Sequence, residues 1–450
     1  MLVREIVKAT NGRLVSGDPC ADIAPEKIST DSRTIRRGEF FIALKGSDFD
    51  GGEFIEEVFR KGAIGALLMG QGAGNGQGKI IIQARDTTKA LQDIARYHRM
   101  KFKIPVIALT GSNGKTTVKD MISSVLSAKY NVLKNEGTKN NHIGVPQTLL
   151  KLGERHDICV LELGTNHKGE IRMLADIARP TMCVITNIGP SHLEFLKCLK
   201  GVYQEKIQIL RSLDKKKGIA VINGDDKFLS QIKGKGIVRF GFGESNDFRG
   251  KALLMKNGRV DFLLNGKERM SLRLLGIHNV YNALAAIAVS RRFGLSYGMI
   301  RKGLLAFRPA GMRLDLKRIN GVDIINDAYN SNPVSMKRAL EVIQYYPAKN
   351  KWVVSADMLE LGRDRVYFHQ IVGALIAASG IKGLLTFGEL SKHTLSRALE
   401  CGMNKKNLWH CSTKNEIADI LKRVARKGDV VLLKGSRAMK MEEVLNKLKA

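Results

Sequence analysis

The sequence predicts an α/β protein of three domains: a small N-terminal α/β module over residues 1–101, a central phosphate-loop, parallel-sheet domain over 102–310, and a C-terminal Rossmann-like α/β domain over 311–450. Three observations carry this. The chain has 450 residues, and at roughly 150 residues per domain that length suits three. From Pro105 onward, short β-branched runs alternate with amphipathic stretches, the pattern of right-handed βαβ units around a buried parallel sheet. The alternation breaks at Arg308-Pro309 and resumes beyond it.

In chain order, the first hundred residues hold the apolar runs FFIAL (40–44), AIGALL (63–68) and IIIQA (80–84), with helical periodicity in 52–61 and 87–100. The Gly-rich stretch GQGAGNGQGK (70–79) between two of these runs reads as a flexible surface turn. The central block runs VIALT (106–110), a helix over 118–130, ICVLEL (158–163), a helix over 171–178, CVITNI (183–188) and GIAVIN (218–223). A small-residue helix over 279–294 follows, ending at a Gly C-cap. After Arg308-Pro309, strands are expected at 324–329, 351–357, 381–388 and 429–436, with helices at 333–345, 366–379, 389–401 and 414–427 between them.

Composition narrows the function classes. Apolar residues make up 44% and charged residues 26%, ordinary globular values that argue against disorder. No stretch approaches 18 uninterrupted apolar residues, so no membrane span is expected. The first residues, MLVREIVKATNGRLVSGD, lack the apolar segment of a secretory signal. Six cysteines fall without CxxC or repeated spacing, which suits a reducing cytoplasm better than a disulfide framework or zinc site. The net charge of +31 draws polyanions. The excess is spread over the whole chain and no aromatic–basic interleaving accompanies it, so the charge reads as a basic proteome or a solvated surface, with anionic substrates in addition, rather than as a nucleic-acid site.

The sharpest motif is VIALTGSNGKTTVKDM (106–121). A strand runs into a glycine turn and then a Lys-Thr pair that opens a helix. Gly111, Asn113, Gly114 and Thr117 shape a turn whose backbone N–H groups and helix N-terminus form an anion hole. Lys115 reaches β/γ-phosphates, and the Thr116 hydroxyl suits Mg2+. Leu109 stands where the commoner GxxxxGK[ST] pattern has glycine, so the turn is a tighter variant. Glu162 closes one following strand and His192 follows another. At the carboxyl ends of a parallel sheet they are expected to converge with Thr116 on one cation. Asp327-Ala-Tyr329-Asn330-Ser-Asn332-Pro lies where a strand gives way to a helix, and serves either as turn chemistry or as a nucleotide contact.

Together the phosphate loop, Asn279 and Asn282 in GIHNVYNALAA, Asp327 in NDAYNSNP, and KGSRAMKME (434–442) resemble the Mur ligase family of ATP-dependent amide ligases, over nearly the whole chain and in the same order. DSRTIRRGEFFIALKGSDFDG (31–51), NNHIGVPQTLL (140–150) and ADMLELG (356–362) are most similar to members that join D-alanyl-D-alanine to UDP-N-acetylmuramoyl-tripeptide. The resemblance implies a central ATPase domain, an N-terminal domain for the UDP-sugar peptide, and a C-terminal domain that closes over ATP and receives the dipeptide. It implies ATP phosphate contacts at Lys115 and Thr116, and Mg2+ ligands at Thr116, Glu162 and His192. Lys206 would be carbamylated to complete a second Mg2+ site; spacing alone makes it a charged residue on a helix face. Asn279 and Asn282 would meet adenine or its ribose. Arg313, Asp327, Tyr329, Asn330 and Asn332 would reach the nucleotide from the third domain. Asp31, Ser32, Arg33, Asn140 and Asn141 would hold the UDP substrate. Lys115, His192 and Lys206 are the implied catalytic groups.

Some positions depart from the family pattern: Gly52 stands where histidine is usual, His142 where glutamate is usual, and Ala356 where glycine is common. None belongs to the phosphate or metal set. The expected enzyme is a cytoplasmic monomer in peptidoglycan synthesis. The Asn-Pro-Arg signature of a diaminopimelate-adding relative is missing, and folate-type relatives lack a full N-terminal UDP-binding module. A basic protein that uses ATP to move on nucleic acid is the rival of another class; the charge favours it, and the missing arginine-finger and strand-exchange motifs disfavour it.

Overall fold

The computed structural model describes residues 1–46, 49–70, 78–256, 258–309 and 311–449. Most of the Gly-rich stretch read as a surface turn lies outside the described residues. Three sheets follow one another along the chain, of five, nine and six strands. The N-terminal sheet runs Arg13–Ser16, Ile80–Ala84, Gly65–Met69, Phe40–Ile42, Ile28–Ser29, parallel except at its first edge. The helical stretch expected at 52–61 begins as a tight 3-10 turn, Gly51–Phe54, and becomes α-helical only at Ile55–Arg60. Asp50 caps it by accepting from the Gly52 N–H.

In the central sheet Val106–Thr110 lies between Ile158–Glu162 and Met182–Ile185, all parallel. The chain leaves Val106–Thr110, crosses to the outer strand Val132–Lys134, returns through Ile158–Glu162, and only then passes to the other side. That reversal is a topological switch point, and it opens a crevice at the carboxyl ends of these strands. All five residues of Val106–Thr110 are buried, which explains its continuous apolar run.

One part of this sheet differs from the expected parallel arrangement. Phe248–Lys256, Arg259–Leu264 and Glu268–Leu272 form an antiparallel extension. Its alternation is weak because Val260, Asp261 and Phe262 are all buried. Ser271, then Arg259 and Arg269, compensate the buried Asp261 carboxylate and hold its pKa down against the effect of burial. Inward charge on a strand erases the period-2 signal on which the sequence reading depends.

The third sheet runs Asp315–Ile319, Val322–Asp327, Val430–Lys434, Lys351–Ala356, Gly383–Phe387, Leu408–Cys411, parallel after its first strand. The helices Pro333–Tyr345, Arg365–Ala378, Ser391–Glu400 and Lys414–Val424 match the expected stretches to within a few residues. Ala356 packs where a side chain on Gly435 would come within 2.8 Å of its Cβ. The methyl that replaces the family glycine is therefore accommodated by a glycine opposite.

The first two sheets share a core. Val3 and Ile94 from the N-terminal part lie in one buried cluster with Leu149, Leu174 and Cys183 of the central part. Burial pushes the Cys159 thiol up to about 12 and raises Cys183 further, so both behave as small apolar residues. The third sheet has separate clusters. Apolar contacts with the central part are made by Phe368 on Leu193 and Leu196, and by the central Leu275 on a third-sheet cluster.

Candidate active site

The crevice at the switch point is a cleft of about 300 Å3. Its floor is the glycine turn between Val106–Thr110 and the helix Lys115–Leu126. Both glycines are sterically required. A Cβ at Gly111 would stand 1.9 Å from Thr186 Oγ1, and one at Gly114, whose φ is +82°, would stand 2.5 Å from Asn282 Oδ1. The turn is cradled from the next strand: the Ser112 and Asn113 N–H groups donate to the Asn187 carbonyl and side-chain oxygen, and Thr186 donates to the Asn113 carbonyl at 2.7 Å. Lys115 folds back over the turn and donates to the Gly111 and Ser112 carbonyls at 2.8 and 3.3 Å. Thr117 follows it in the first turn of the helix and lines the cleft. Burial lowers the Lys115 pKa, opposed by Glu162 and reinforced by Arg313.

Thr116 donates to Glu162 Oε2 at 2.8 Å, and the Asn140 amide donates to Oε1 at 2.8 Å. The Glu162 carboxylate is therefore fixed at both oxygens. His192 opens toward the same cleft. Its Nδ1 lies 2.7 Å from Glu360 Oε2 of the third domain, off the line of a hydrogen bond, and has no hydrogen-bond partner among the described residues. The imidazole nevertheless lowers the Glu360 carboxyl pKa. Both residues sit in the left-handed region, at φ +51° and +61°. Lys206 ends the helix Leu199–Lys206 with its side chain buried, and makes no hydrogen bond or ion pair with the described residues. Burial, then Lys115, holds its pKa well below the ordinary lysine value. The exposed helix-face position that spacing suggested is therefore corrected, because the helix turns this residue into the interior.

From the third domain, Arg313 donates to Thr116 Oγ1 at 3.0 Å and lies 3.9 Å over the Tyr329 ring. Asn332 donates to the Asn113 side chain at 3.0 Å and caps the helix Pro333–Tyr345 through Ser335. Asp327 accepts from the Leu314 N–H and pairs with Lys434, which also donates to the Asn330 carbonyl at 3.0 Å. On the opposite wall Asn282 donates to Asn279, which donates to the Leu275 carbonyl. Burial, with Arg338 and Lys434 nearby, pushes the His278 imidazole down to about 3, so it is neutral at pH 7.

A second pocket of about 1050 Å3 lies between the N-terminal module and residues 133–151. Asp31, Ser32 and Arg33 line it. Arg33 grips Asp31 with two hydrogen bonds of 2.9 and 2.8 Å, which pulls the Asp31 carboxyl down to about 2. Gln147 donates to Thr30 at 2.6 Å across the seam. Asn140 and Asn141 are not in this pocket. Asn140 belongs to the Glu162 cleft, and the Asn141 side chain accepts from the Ile143 and Gly144 N–H groups.

The structure thus brings Asn113, Gly114, Lys115, Thr116, Thr117, Glu162, His192, Asn279, Asn282, Arg313, Asp327, Tyr329, Asn330 and Asn332 to one cleft, with Gly111 in the adjoining turn, where its carbonyl accepts from Lys115, and with Lys206 buried close enough for Lys115 to depress its pKa. Sequence reasoning left Thr186, Asn187, His278, Arg338, Glu360 and Lys434 without roles. A polar pair ending an apolar strand was the available signal for Thr186 and Asn187. The other four are brought in by the third domain or by the helix facing it.

Residues 109–290 match the model of the Mur ligase middle domain, and 312–437 that of the Mur ligase, glutamate ligase domain. The chain is 38% identical over 425 residues to the UDP-N-acetylmuramoyl-tripeptide–D-alanyl-D-alanine ligase of Bacillus subtilis, covering 94% of this chain and 92% of that protein. The corresponding ligase of Escherichia coli is 35% identical over 439 residues, covering 95% and 94%. Among solved structures, MurF from Acinetobacter baumannii superposes with a TM-score of 0.90 at 30% identity, covering 100% of this chain and 98% of that one. MurF ligase from Thermotoga maritima in complex with ADP gives 0.85 at 27% identity, covering 95% and 98%.

Proposed function

The chain belongs to the Mur ligase family, and from that premise we propose that its two pockets are the two halves of one ligation. The enzyme joins D-alanyl-D-alanine to UDP-N-acetylmuramoyl-tripeptide at the cost of ATP, giving UDP-N-acetylmuramoyl-pentapeptide, ADP and phosphate for peptidoglycan. One observation carries the reading: Thr116, beside the lysine of a phosphate loop, is bonded at once to Glu162 of its own domain and to Arg313 of the domain that closes over it.

A carboxylate is a poor acyl donor. Transfer of the ATP γ-phosphoryl group to the tripeptide carboxylate makes an acyl phosphate and ADP. The dipeptide amine then attacks the carbonyl carbon, and phosphate leaves the tetrahedral intermediate. Phosphoryl transfer asks for charge neutralisation and alignment more than for covalent help. The N-terminus of Lys115–Leu126 and the Lys115 ammonium supply the first, the Ser112 and Asn113 N–H groups being engaged on Asn187. Lys115 trades its two carbonyl contacts for phosphate oxygens. Arg313, Asp327, Tyr329, Asn330 and Asn332 supply alignment as the third domain closes, and closure excludes the water that would hydrolyse the acyl phosphate. Neutral His278, with Asn279 and Asn282, forms the wall for the base and ribose.

The donor set suits Mg2+: a hydroxyl and a carboxylate in contact, an imidazole nitrogen without a hydrogen-bond partner among the described residues, and a buried amine that makes no hydrogen bond or ion pair with them. Thr116, Glu162 and His192 would hold it, with Lys206 as the carbamate at a second site. There Mg2+ supplies charge neutralisation at the phosphate oxygens. The depressed Lys206 pKa favours the neutral amine, which adds carbon dioxide and loses a proton to give the anion. Asp31, Ser32 and Arg33 hold the UDP-sugar peptide. Asn141, already engaged in its turn, and Asn140, on Glu162, reach that substrate only through its peptide end. In this reading the division of labour follows residues 1–101, 102–310 and 311–450, and the enzyme works as a cytoplasmic monomer. Among the described residues no helix is long and apolar enough to cross a membrane.

The test is a mass-spectrometric product assay with MgATP, D-alanyl-D-alanine and UDP-tripeptides carrying lysine or diaminopimelate third. Pentapeptide from one of them, with phosphate released only when both substrates are present, is the expected result. ATP turnover triggered by polynucleotide alone would refute the reading.

A further inference from the structure

Lys119 lies one helical turn beyond Lys115, and the ligation chemistry does not use it. Its side chain is 1% exposed, an expensive place for a cation unless the ammonium is satisfied. It donates to the Asn135 carbonyl at 2.8 Å and the Gly137 carbonyl at 3.1 Å, with Asp120 3.7 Å away. Burial lowers its pKa, partly offset by Asp120 and Glu162. What the ammonium holds is a segment of chain with no regular structure, residues 135–140.

That segment is bonded to Glu162 at both its ends. The fully buried Asn135 side chain accepts from the Glu162 N–H at 2.9 Å and donates to the Glu162 carbonyl at 3.0 Å. Asn140 donates to the Glu162 carboxylate, and its carbonyl accepts from the Gly164 N–H at 2.8 Å. The segment has two faces. Thr138 and Asn140 line the phosphate-loop cleft, whereas Glu136 and Lys139 line the N-terminal pocket. It is thus a wall common to both sites, and Lys119 anchors it to the helix that carries Lys115 and Thr116.

We propose that Lys119 is a positioning residue: by anchoring residues 135–140 it fixes Glu162, and through the two faces of that segment occupancy of the N-terminal pocket changes the affinity of the phosphate-loop cleft. The inference rests on the reading that the cleft takes a nucleotide with Mg2+ and the pocket takes the UDP-sugar peptide. A coupling of this kind is reciprocal, so either ligand can report it.

The experiment is calorimetric titration of ADP with Mg2+ into the full-length protein, with and without saturating UDP-N-acetylmuramoyl-tripeptide, for the wild type and Lys119→Met. The wild type is expected to change its ADP affinity at least about fivefold when the sugar nucleotide is bound. In Lys119→Met that ratio should fall below about twofold, with sugar-nucleotide affinity alone within about threefold of the wild type. A residue that served only to hold the fold would weaken each ligand and leave the ratio unchanged. If Lys119→Met does not fold, Lys119→Gln, which is uncharged and one bond shorter, is held to the same criterion. A wild type without coupling, or a variant that keeps it, overturns the role of Lys119 and leaves the proposed reaction standing. Failure of the wild type to bind the sugar nucleotide overturns the reaction itself.

Discussion

Gly114→Ala perturbs one methyl and tests whether the glycine turn is the nucleotide site. Gly114 has φ +82°, where an L-residue loses roughly 1–2 kcal/mol to its own carbonyl. The added Cβ would also stand 2.5 Å from Asn282 Oδ1, so one of the two must move by close to an ångström. If Asn282 moves, its 2.9 Å bond to Asn279 is lost, at roughly 0.5–1.5 kcal/mol. The sum is about 1.5–3.5 kcal/mol. If the turn relaxes out of its binding shape to relieve the strain, that appears as roughly 10- to 400-fold weaker nucleotide binding. Calorimetric titration with ADP and Mg2+ reads it directly, and a thermal melt reads any part of the cost borne by the fold. The sugar-nucleotide affinity should stay within about threefold, because Gly114 is remote from the second pocket. ADP affinity within threefold of the wild type, in a variant of unchanged melting temperature, would mean that the turn grips no phosphate.

Three further outcomes follow from the same geometry. Lys115→Ala should lower turnover by at least about a thousandfold, through loss of charge stabilisation in the transition state, with UDP-substrate affinity nearly intact; a loss of that affinity instead would relocate the role of the turn. Lys206→Ala should be partly rescued by short carboxylates such as formate that enter the space of the carbamate, and a flat response up to high concentration would remove the residue from the site. Lys101, with Tyr97, holds the Glu5 carboxyl down to about 2. The folded-state value is depressed, so its stabilisation is present above the unfolded value near 4.5 and fades as pH falls toward 2. Discounted for the exposure of the pair, it is about 1–2 kcal/mol. Glu5→Gln should therefore lower the melting temperature at pH 7, by a margin that shrinks toward pH 2.5; a margin independent of pH would assign the loss to packing.

The phosphate loop was legible because its chemistry is local. Strand, turn, Lys115 and Thr116 occupy eleven consecutive residues, Val106 to Thr116, and the anion hole is made by their own backbone. Glu162 was legible for a related reason: a carboxylate ending a buried apolar run must face the carboxyl edge of a parallel sheet. The antiparallel extension at 248–272 was not, because the buried Asp261 breaks the alternation by which strands are recognised.

Everything that makes two pockets into one site came from long-range packing. Lys206 was indistinguishable from a surface lysine until its helix turned inward, since a single helical residue carries no sign of which face it occupies. The pairing of Arg313 with Thr116 spans 197 residues, and depends on how the third domain meets the second. Asn140, legible as part of a substrate-binding motif, lies on Glu162 because Lys119 and Asn135 draw its segment there. Sequence determines the chemistry a residue can offer through its neighbours in the chain. Distance, burial and protonation are set by neighbours in space, and for this protein those arrive from three separate sheets.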